Sequence, residues 1–309
     1  MKNKGLLLIA LSLAVAVALT PAVLFPQSTL TAIAVGSGPE GVAYDGSHIW
    51  VTNQFSNTVT KLRSSDGRRV GTFPVGKRPL GVVFDGDNIW VANHLDNTVT
   101  KLRADDGGVV GTFAVGEGPG AVAFDGFRIW VASRISNTVT KLRRSDGAHL
   151  GTFGVGLRPM GIAFSSDANG SYVWVTNNLS NTVTKLRRSD GAHLGTFAVR
   201  DGPFGVTFDG ANIWVANFFS KNVMKLRASD GVLLGTFPVG DGAAGITFDG
   251  TNIWVANNGS NSVMALRPSD GAVLATYGVG NSPFGVVFGG GNIWVANAGS
   301  DSVSTSLSR

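Results

Sequence analysis

Short apolar runs alternate with turn residues along almost the whole chain, and the arrangement repeats about every 40 residues. In one unit the runs are Gly81–Asp85, Asn88–Asn93, Asn97–Arg103 and Gly108–Val115. These runs are rich in Val, Ile, Thr, Phe and Trp, which favour strands. No run has the length or the apolar period of a helix. The pattern therefore predicts four short strands per unit, which we label a to d in chain order.

One tryptophan marks each unit. All seven tryptophans lie in the b run, at positions 50, 90, 130, 174, 214, 254 and 294. Four strands in about 40 residues, repeated in series, are typical of a β-propeller, in which each unit forms one blade. The sequence therefore predicts an all-β protein, a seven-bladed β-propeller of four-stranded blades.

The two ends of the repeat region complement each other. The last unit has runs a, b and c, the last of them Asp301–Leu307, and then stops without a d run. The run Leu30–Gly36 has the composition of a d strand, and Ile33 lies where other units have Phe73 or Phe113. We therefore expect the N-terminal strand to complete blade 7 and to close the ring.

The first residues have the three parts of an export signal. A positive segment at residues 1–5 precedes an apolar run at 6–19, and the small residues Thr20 and Ala22 flank a proline. This order is typical of a secretory signal peptide cleaved after Ala22. An uncleaved membrane anchor that extends to residue 25 is the alternative. The predicted organisation is a signal peptide at 1–22, a linker at 23–29 and the propeller at 30–309, with the protein secreted, periplasmic or at the cell surface.

Composition excludes several kinds of chemistry. The chain of 309 residues has no cysteine, which excludes disulfides, thiolate metal sites and a cysteine nucleophile. Its net charge of +5 is too small to indicate nucleic-acid binding by itself. Each of the first five c strands carries a Lys and an Arg, such as Lys101 and Arg103, but an Asp three residues after the Arg offsets the charge. We expect a solvated face here and no nucleic-acid partner, although a basic ladder that contacts phosphates is the alternative.

The run Ile-Trp-Val-Ala-Asn-x-x-Ser-Asn-Thr-Val, followed by Gly-Thr-Phe-x-Val-Gly, resembles the YVTN-type β-propeller repeat. The resemblance extends from about Leu30 to Val303, and it implies a fold rather than an activity. Related seven-bladed propellers include the streptogramin (virginiamycin B) lyases, a family that uses His and Glu side chains with Mg²⁺ on one face. No matching set can be placed in this sequence, where Glu40, His94 and Glu117 are the nearest candidates. A metal-dependent lyase or hydrolase is therefore the alternative function.

The topology predicted for a blade separates two ends of the propeller. Strands within a blade alternate in direction, so the d–a and b–c loops share one end, which we call the variable face. The a–b and c–d turns share the opposite end and contain Asp-Gly in most units, whereas the loops of the variable face differ from unit to unit. Divergent loops on a rigid frame are common binding surfaces. We therefore expect a binding site at the variable face.

The predicted site has an apolar floor and a basic rim around the mouth of the central channel. The floor consists of Leu80, Met160, Phe204, Phe218 and Phe284, and the rim consists of Arg134, Arg158 and Arg200. The neighbouring apolar slot that holds Phe55 and Phe219 is expected to tuck inward. The predicted function is a non-enzymatic, monomeric scaffold without a cofactor that binds a protein, a peptide or a small ligand. Membrane contact is expected only through an uncleaved N-terminal segment.

Overall fold

The computed structural model describes residues 28–306, and every element in this range is a strand or a turn. The predicted signal peptide and residues 23–27 of the predicted linker lie outside the described residues. Residues 28 and 29, which the sequence assigns to the linker, form a short strand instead. Between residues 28 and 306 there is no helix with the length and apolar character that a membrane crossing requires.

The strands follow each other in the predicted rhythm. Two short strands come first, Ser28–Thr29 (β1) and Thr31–Ala34 (β2). Blades 1 to 3 contain Pro39–Tyr44 (β3), His48–Asn53 (β4), Thr58–Arg63 (β5), Arg69–Pro74 (β6), Pro79–Phe84 (β7), Asn88–Asn93 (β8), Thr98–Arg103 (β9), Val109–Ala114 (β10), Pro119–Phe124 (β11), Arg128–Ser133 (β12), Thr138–Arg143 (β13) and His149–Gly154 (β14). Blades 4 to 7 contain Pro159–Asp167 (β15), Gly170–Asn177 (β16), Thr182–Arg187 (β17), His193–Ala198 (β18), Pro203–Phe208 (β19), Asn212–Asn217 (β20), Asn222–Arg227 (β21), Leu233–Pro238 (β22), Ala243–Phe248 (β23), Ile253–Asn257 (β24), Ser262–Leu266 (β25), Val273–Gly278 (β26), Pro283–Gly289 (β27), Asn292–Asn297 (β28) and Ser302–Thr305 (β29).

These strands form seven sheets, and the prediction of a seven-bladed propeller is confirmed. Within each of the first six blades the four strands pair antiparallel in chain order, from a to d. The seventh sheet has the order β2-β29-β28-β27, with Ile33 opposite Val303. Strand β1 pairs parallel with β26, the outer strand of blade 6, so residues near the N-terminus contact two adjacent blades.

Tryptophans fill the cores between blades and are fixed by the a–b turns. Six of the seven are fully buried, and Trp254 is largely so. In five blades the indole nitrogen donates to the turn aspartate, as Trp90 Nε1 does to Asp85 Oδ2 at 2.7 Å. Asp85 Oδ1 also accepts the backbone N–H of Asn88 at 2.7 Å. In these five blades the aspartate of the a–b turn therefore caps the turn and satisfies a buried indole at once.

The lysines of the c strands join neighbouring blades, and the expectation that they lie on a solvated face is wrong. Lys101 is buried beneath Trp90, and its Nζ donates to the carbonyl oxygens of Arg144 and Ser145 in the next blade at 2.8 and 3.0 Å. The same bond to the next blade is made by Lys61, Lys141, Lys185 and Lys225. An ammonium with carbonyl partners tolerates this burial. The predicted charge offset is confirmed for the arginines, since Arg103 pairs with Asp106 at 2.7 Å.

A second contact between blades lies at the variable face. A residue in the left-handed conformation ends each b–c loop, and in most blades it is an asparagine, such as Asn97 with φ of 56°. Its side-chain oxygen accepts the backbone N–H of the next d–a loop, as Asn97 Oδ1 does from Gly118 at 2.9 Å. We call the boundary between two adjacent blades a seam. Six of the seven seams have this bond, which joins two blades and does not close a single loop. At the remaining seam the residue is Lys221, which cannot accept.

The innermost strands pack against each other around the central channel. Each of them has a register irregularity just after its first residue, as between Pro79 and Val82 of β7. Bulges of this kind turn a side chain away from its regular direction. The residues at the bulge, such as Leu80, therefore lie at the mouth of the channel, where the sequence predicts the floor of the site.

Candidate functional site

The channel opens on the variable face through a cavity of about 200 Å³. Its lining includes four of the five predicted floor residues, Leu80, Met160, Phe204 and Phe284. Leu80 and Met160 are buried, whereas the two phenylalanines are only partly covered. The structure therefore brings these four side chains together, and it presents the aromatic pair on one side of the mouth.

Phe218, the fifth predicted floor residue, lies beside the mouth because its ring contacts that of Phe204. The ring centroids of Phe204 and Phe284 are 5.9 Å apart, and those of Phe204 and Phe218 are 6.1 Å apart. Phe219 continues the series with an edge contact to Phe218 at 5.3 Å. Such spacings are those of favourable aromatic pairs. We call Phe204, Phe218, Phe219 and Phe284 the aromatic cluster.

The apolar slot of the b–c loops is exposed, so the expectation that it tucks inward is wrong. The side chains in this slot are 60–67% exposed, and they are Phe55, Leu95, Ile135, Leu179 and Phe219. Each lies at the tip of its loop, two residues before the left-handed residue, and covers the neighbouring d–a loop. A β-carbon at Gly202, for example, would collide with the ring of Phe219. Blades 6 and 7 have glycine in this slot, so the apolar surface extends over five blades.

A second cavity of about 410 Å³ lies beside the mouth, between blades 2 and 4. Its polar lining includes Arg78, His94, Arg134 and Arg158, and we call this cavity the basic pocket. Arg134 also lines the channel mouth, so the two cavities share one side chain. Arg200 is exposed and lines neither cavity, so the structure does not bring this predicted rim residue to the other two.

Arg134 reaches from the b–c loop of blade 3 towards blade 1. Its Nη2 donates to Glu40 Oε1 at 3.3 Å, and each of the two side chains is only 13% exposed. The guanidinium lies over Gly120, where a β-carbon would collide with it. Gly120 occupies the slot that holds Leu80, Met160 and Phe204 in other blades, and the absence of a side chain leaves the space for Arg134.

Burial lowers the pKa of Arg134 below its ordinary value, and the positive charges of Arg158 and Arg78 lower it further. Glu40 acts in the opposite direction. The pKa of His94 is also lowered, first by burial and then by the charges of Arg134 and Arg78. The two shielded groups of the pocket, Arg134 and His94, therefore lie beside the positive charges of the exposed Arg78 and Arg158.

Glu40, His94 and Glu117 do not form a group placed to hold a metal ion. Glu40 is engaged by Arg134, and Glu117 is exposed at the start of its loop. Arginines face His94, and their charges oppose a metal ion at its ring. Within residues 28–306 no group of three or more His, Asp or Glu side chains is placed to hold a metal ion.

Arg78 is the member of the basic pocket that the sequence reasoning missed. The residue directly before the loop proline could have indicated it. This position holds Gly38, Gly118 and Gly202 in three other blades. This slot has a left-handed backbone in every blade, with φ of 54° at Arg78 and 53° at Arg158. Long side chains are rare in this conformation, so the two arginines stand out once the repeats are aligned with each other.

The architecture defines the class of protein as a seven-bladed β-propeller, and comparison with solved structures agrees. A streptogramin B lyase structure superposes with a TM-score of 0.77 over 90% of this chain and 97% of that chain, at 20% identity. Virginiamycin B lyase from Staphylococcus aureus gives 0.77 over 91% and 99%, at 18% identity. Hydrazine synthase of Kuenenia stuttgartiensis gives 0.76 over 90% and 96%, at 16% identity.

At these identities the likeness concerns the fold alone. The same fold is seen in a catalytically inactive His-to-Ala variant of virginiamycin B lyase with quinupristin, at 19% identity and a TM-score of 0.77. No protein-family model matches the chain, and no curated protein matches it in sequence. Membership of the YVTN repeat family therefore stays a prediction from the repeated residues.

Proposed function

We propose that this protein is an exported, non-enzymatic propeller scaffold that binds a peptide or another small ligand at the variable face. The observation that carries the proposal is the aromatic cluster, in which Phe204 and Phe284 meet at the channel mouth without being fully covered. Partly exposed aromatic rings beside a cavity are a common form of ligand site. The exposed apolar slot of the b–c loops extends the apolar surface outward from this cluster.

The pairing of Glu40 with Arg134 supports a binding function over the alternative lyase or hydrolase. A carboxylate held by a buried guanidinium is poorly available as a base or as a metal ligand. The rigid frame of blades beneath the loops suits a preformed site, which loses little entropy when a ligand binds.

The binding site can be tested with 2-naphthylmethanol, a neutral aromatic probe, by isothermal titration calorimetry. The variant Phe204→Ala/Phe284→Ala should weaken binding about tenfold or more, because most of the apolar contact area is lost. Phe127→Ala is the matched control, because Phe127 is an exposed ring at the opposite end of the propeller. Equal affinities of the wild type and the double variant would show that the mouth is not the site.

Export is part of the proposal and has its own test. The leader predicts that the mature chain begins at residue 23. Mass spectrometry of the protein produced from the full chain in a bacterial host should show this N-terminus in the periplasm or the medium. An intact residue 1 in a membrane fraction would support the anchor instead.

A further inference from the structure

We propose that the basic pocket binds an oxyanion of the ligand, a carboxylate or a phosphate, while the apolar part of the ligand lies on the aromatic cluster. This inference rests on the proposed function and specifies its ligand as an amphiphilic anion. Arg134 lines both cavities, so they lie on two sides of one side chain. A ligand that extends past Arg134 would contact the aromatic rings and the guanidinium groups together.

The balance of charge in the pocket favours an anion. Arg78, Arg134 and Arg158 bring three positive charges, and Glu40 supplies one negative charge. The charges of both outer arginines act to lower the pKa of Arg134, as expected for cations that line one pocket. Arg78 and Arg158 are exposed, whereas Arg134 is shielded from solvent between them, so the repulsion acts mainly on Arg134, and a bound anion relieves it.

Unused hydrogen-bond donors point to the same ligand chemistry. Arg134 Nε is buried and has no hydrogen-bond partner, because Glu40 accepts from Nη2 alone. Arginine binds carboxylates and phosphates through two parallel N–H groups, and Arg134 keeps donors for such a bond. His94 Nδ1 is also buried without a partner in the wall of the same pocket. Buried polar atoms without partners are uncommon in folded proteins, and here two of them border one cavity.

The backbone shows that the outer arginines are not needed by the fold. Arg78 and Arg158 occupy the left-handed slot that holds Gly38, Gly118, Gly202 and Gly242 in other blades. The backbone N–H of each arginine makes the same bond to an asparagine as the N–H of Gly118 does. A long side chain in this conformation is strained where glycine is not, and such strain is typical of functional positions. The two arginines flank Arg134 on both sides, in the two blades next to its own.

The test measures three probes with the same ring system: 2-naphthoate, 2-naphthyl phosphate and neutral 2-naphthylmethanol. Isothermal titration calorimetry at low salt should give at least one anion an affinity about tenfold or more above that of the neutral probe. The better of the two anions identifies the oxyanion class. The variant Arg78→Gly/Arg158→Gly should lose this preference and keep the affinity for the neutral probe. Its melting temperature should be equal to or above that of the wild type, because glycine fits the backbone.

Arg200→Gly is the matched control, since it removes an exposed arginine of the same face that lines neither cavity. It should leave the anion preference intact. Equal affinities for anionic and neutral probes would overturn the oxyanion site and leave the apolar site standing. Anion binding that survives Phe204→Ala/Phe284→Ala but not the arginine variant would remove the aromatic half of the proposal. An anion preference that persists in Arg78→Gly/Arg158→Gly would overturn the role of the pocket, and no binding of any probe would overturn both proposals.

Discussion

Replacing Lys221 by Asn should stabilise the propeller, because this position departs from a bond that the other six seams share. Lys221 has a left-handed backbone with φ of 53°, and its ammonium pairs with Asp241 at 3.0 Å. Asparagine is found at this place in Asn97, Asn137 and three other blades, where its side chain accepts the N–H of the next d–a loop. In Lys221→Asn the new amide oxygen should accept the N–H of Gly242.

The size of the effect follows from three contributions. A left-handed residue with a long side chain costs roughly 1–2 kcal/mol, and asparagine avoids part of that cost. The added hydrogen bond contributes about 0.5–1.5 kcal/mol. The pair of Lys221 and Asp241 is lost, but both side chains are 58% exposed, so it contributes at most about 1 kcal/mol. The free energy of unfolding should therefore rise by about 1 kcal/mol, and the melting temperature by about 2–4 °C.

Differential scanning calorimetry and urea unfolding of the wild type and three variants test this estimate. Lys221→Ala keeps a β-carbon in the left-handed conformation and gains no acceptor, so it should not stabilise. Asn261→Lys makes the reverse change at the next seam and should lower the melting temperature by a similar amount. The reasoning is refuted if Lys221→Asn melts at or below the wild type, or if Lys221→Ala gains as much as Lys221→Asn.

Three further changes test other parts of the structure. Lys101→Met should lower the free energy of unfolding by about 1–3 kcal/mol in urea titrations, because two partly buried carbonyls lose their donor; an unchanged midpoint would contradict the role of the ammonium. Gly205→Ala should cost about 1–3 kcal/mol in the same assay, since a β-carbon there would lie 2.5 Å from the Ala244 carbonyl oxygen; a neutral result would mean that the innermost strands can separate. His94 has a pKa below its ordinary 6.5, so as the pH falls below 6.5 the unfolded chain binds a proton before the folded protein does, and stability is lost. His94→Asn should reduce the difference between the urea midpoints at pH 7.5 and pH 5, and an identical difference would contradict the shift.

The architecture could be predicted because its signals recur in every unit. A tryptophan about every 40 residues and Asp-Gly turns between β-rich runs are properties of the local sequence, and seven repetitions leave little ambiguity. The same periodicity misled the interpretation of Lys101. A lysine beside Arg103 reads as part of an exposed basic strand, but the c strand is covered on the side where Lys101 lies beneath Trp90. The packing of blades in the ring decides which side of a strand is covered, and the sequence of the strand alone does not reveal it.

The candidate site was predictable where position in the blade determines the outcome. Leu80, Met160 and Phe204 reach the channel mouth because the loop proline starts the innermost strand in most blades. The basic pocket was not predictable as a unit, because Arg134 passes over Gly120 of its own blade and pairs with Glu40 of a different blade. Arg200 shares the charge of Arg134 and lies on the same face, but these two properties do not determine where its side chain points. Contacts between side chains of different blades can be named only when the packing of the blades is known.

The hydrogen bonds from lysines to the next blade are present in one part of the ring and absent from the other. They join blades 1 through 6 in one direction, but Ala265 and Thr305 occupy the lysine slot of blades 6 and 7. The two seams beside blade 7 therefore lack this ammonium, but β1 and β2 connect blades 6 and 7 through the chain. Local opening measured by hydrogen exchange should therefore be fastest at the seam between blades 7 and 1. The basic pocket lies in the firmly joined part, whereas Phe284 belongs to blade 7. The charged end of a ligand would thus be held by a rigid part of the ring, whereas its apolar end would contact the more mobile blade 7. Such mobility would let the mouth accept apolar groups of different sizes.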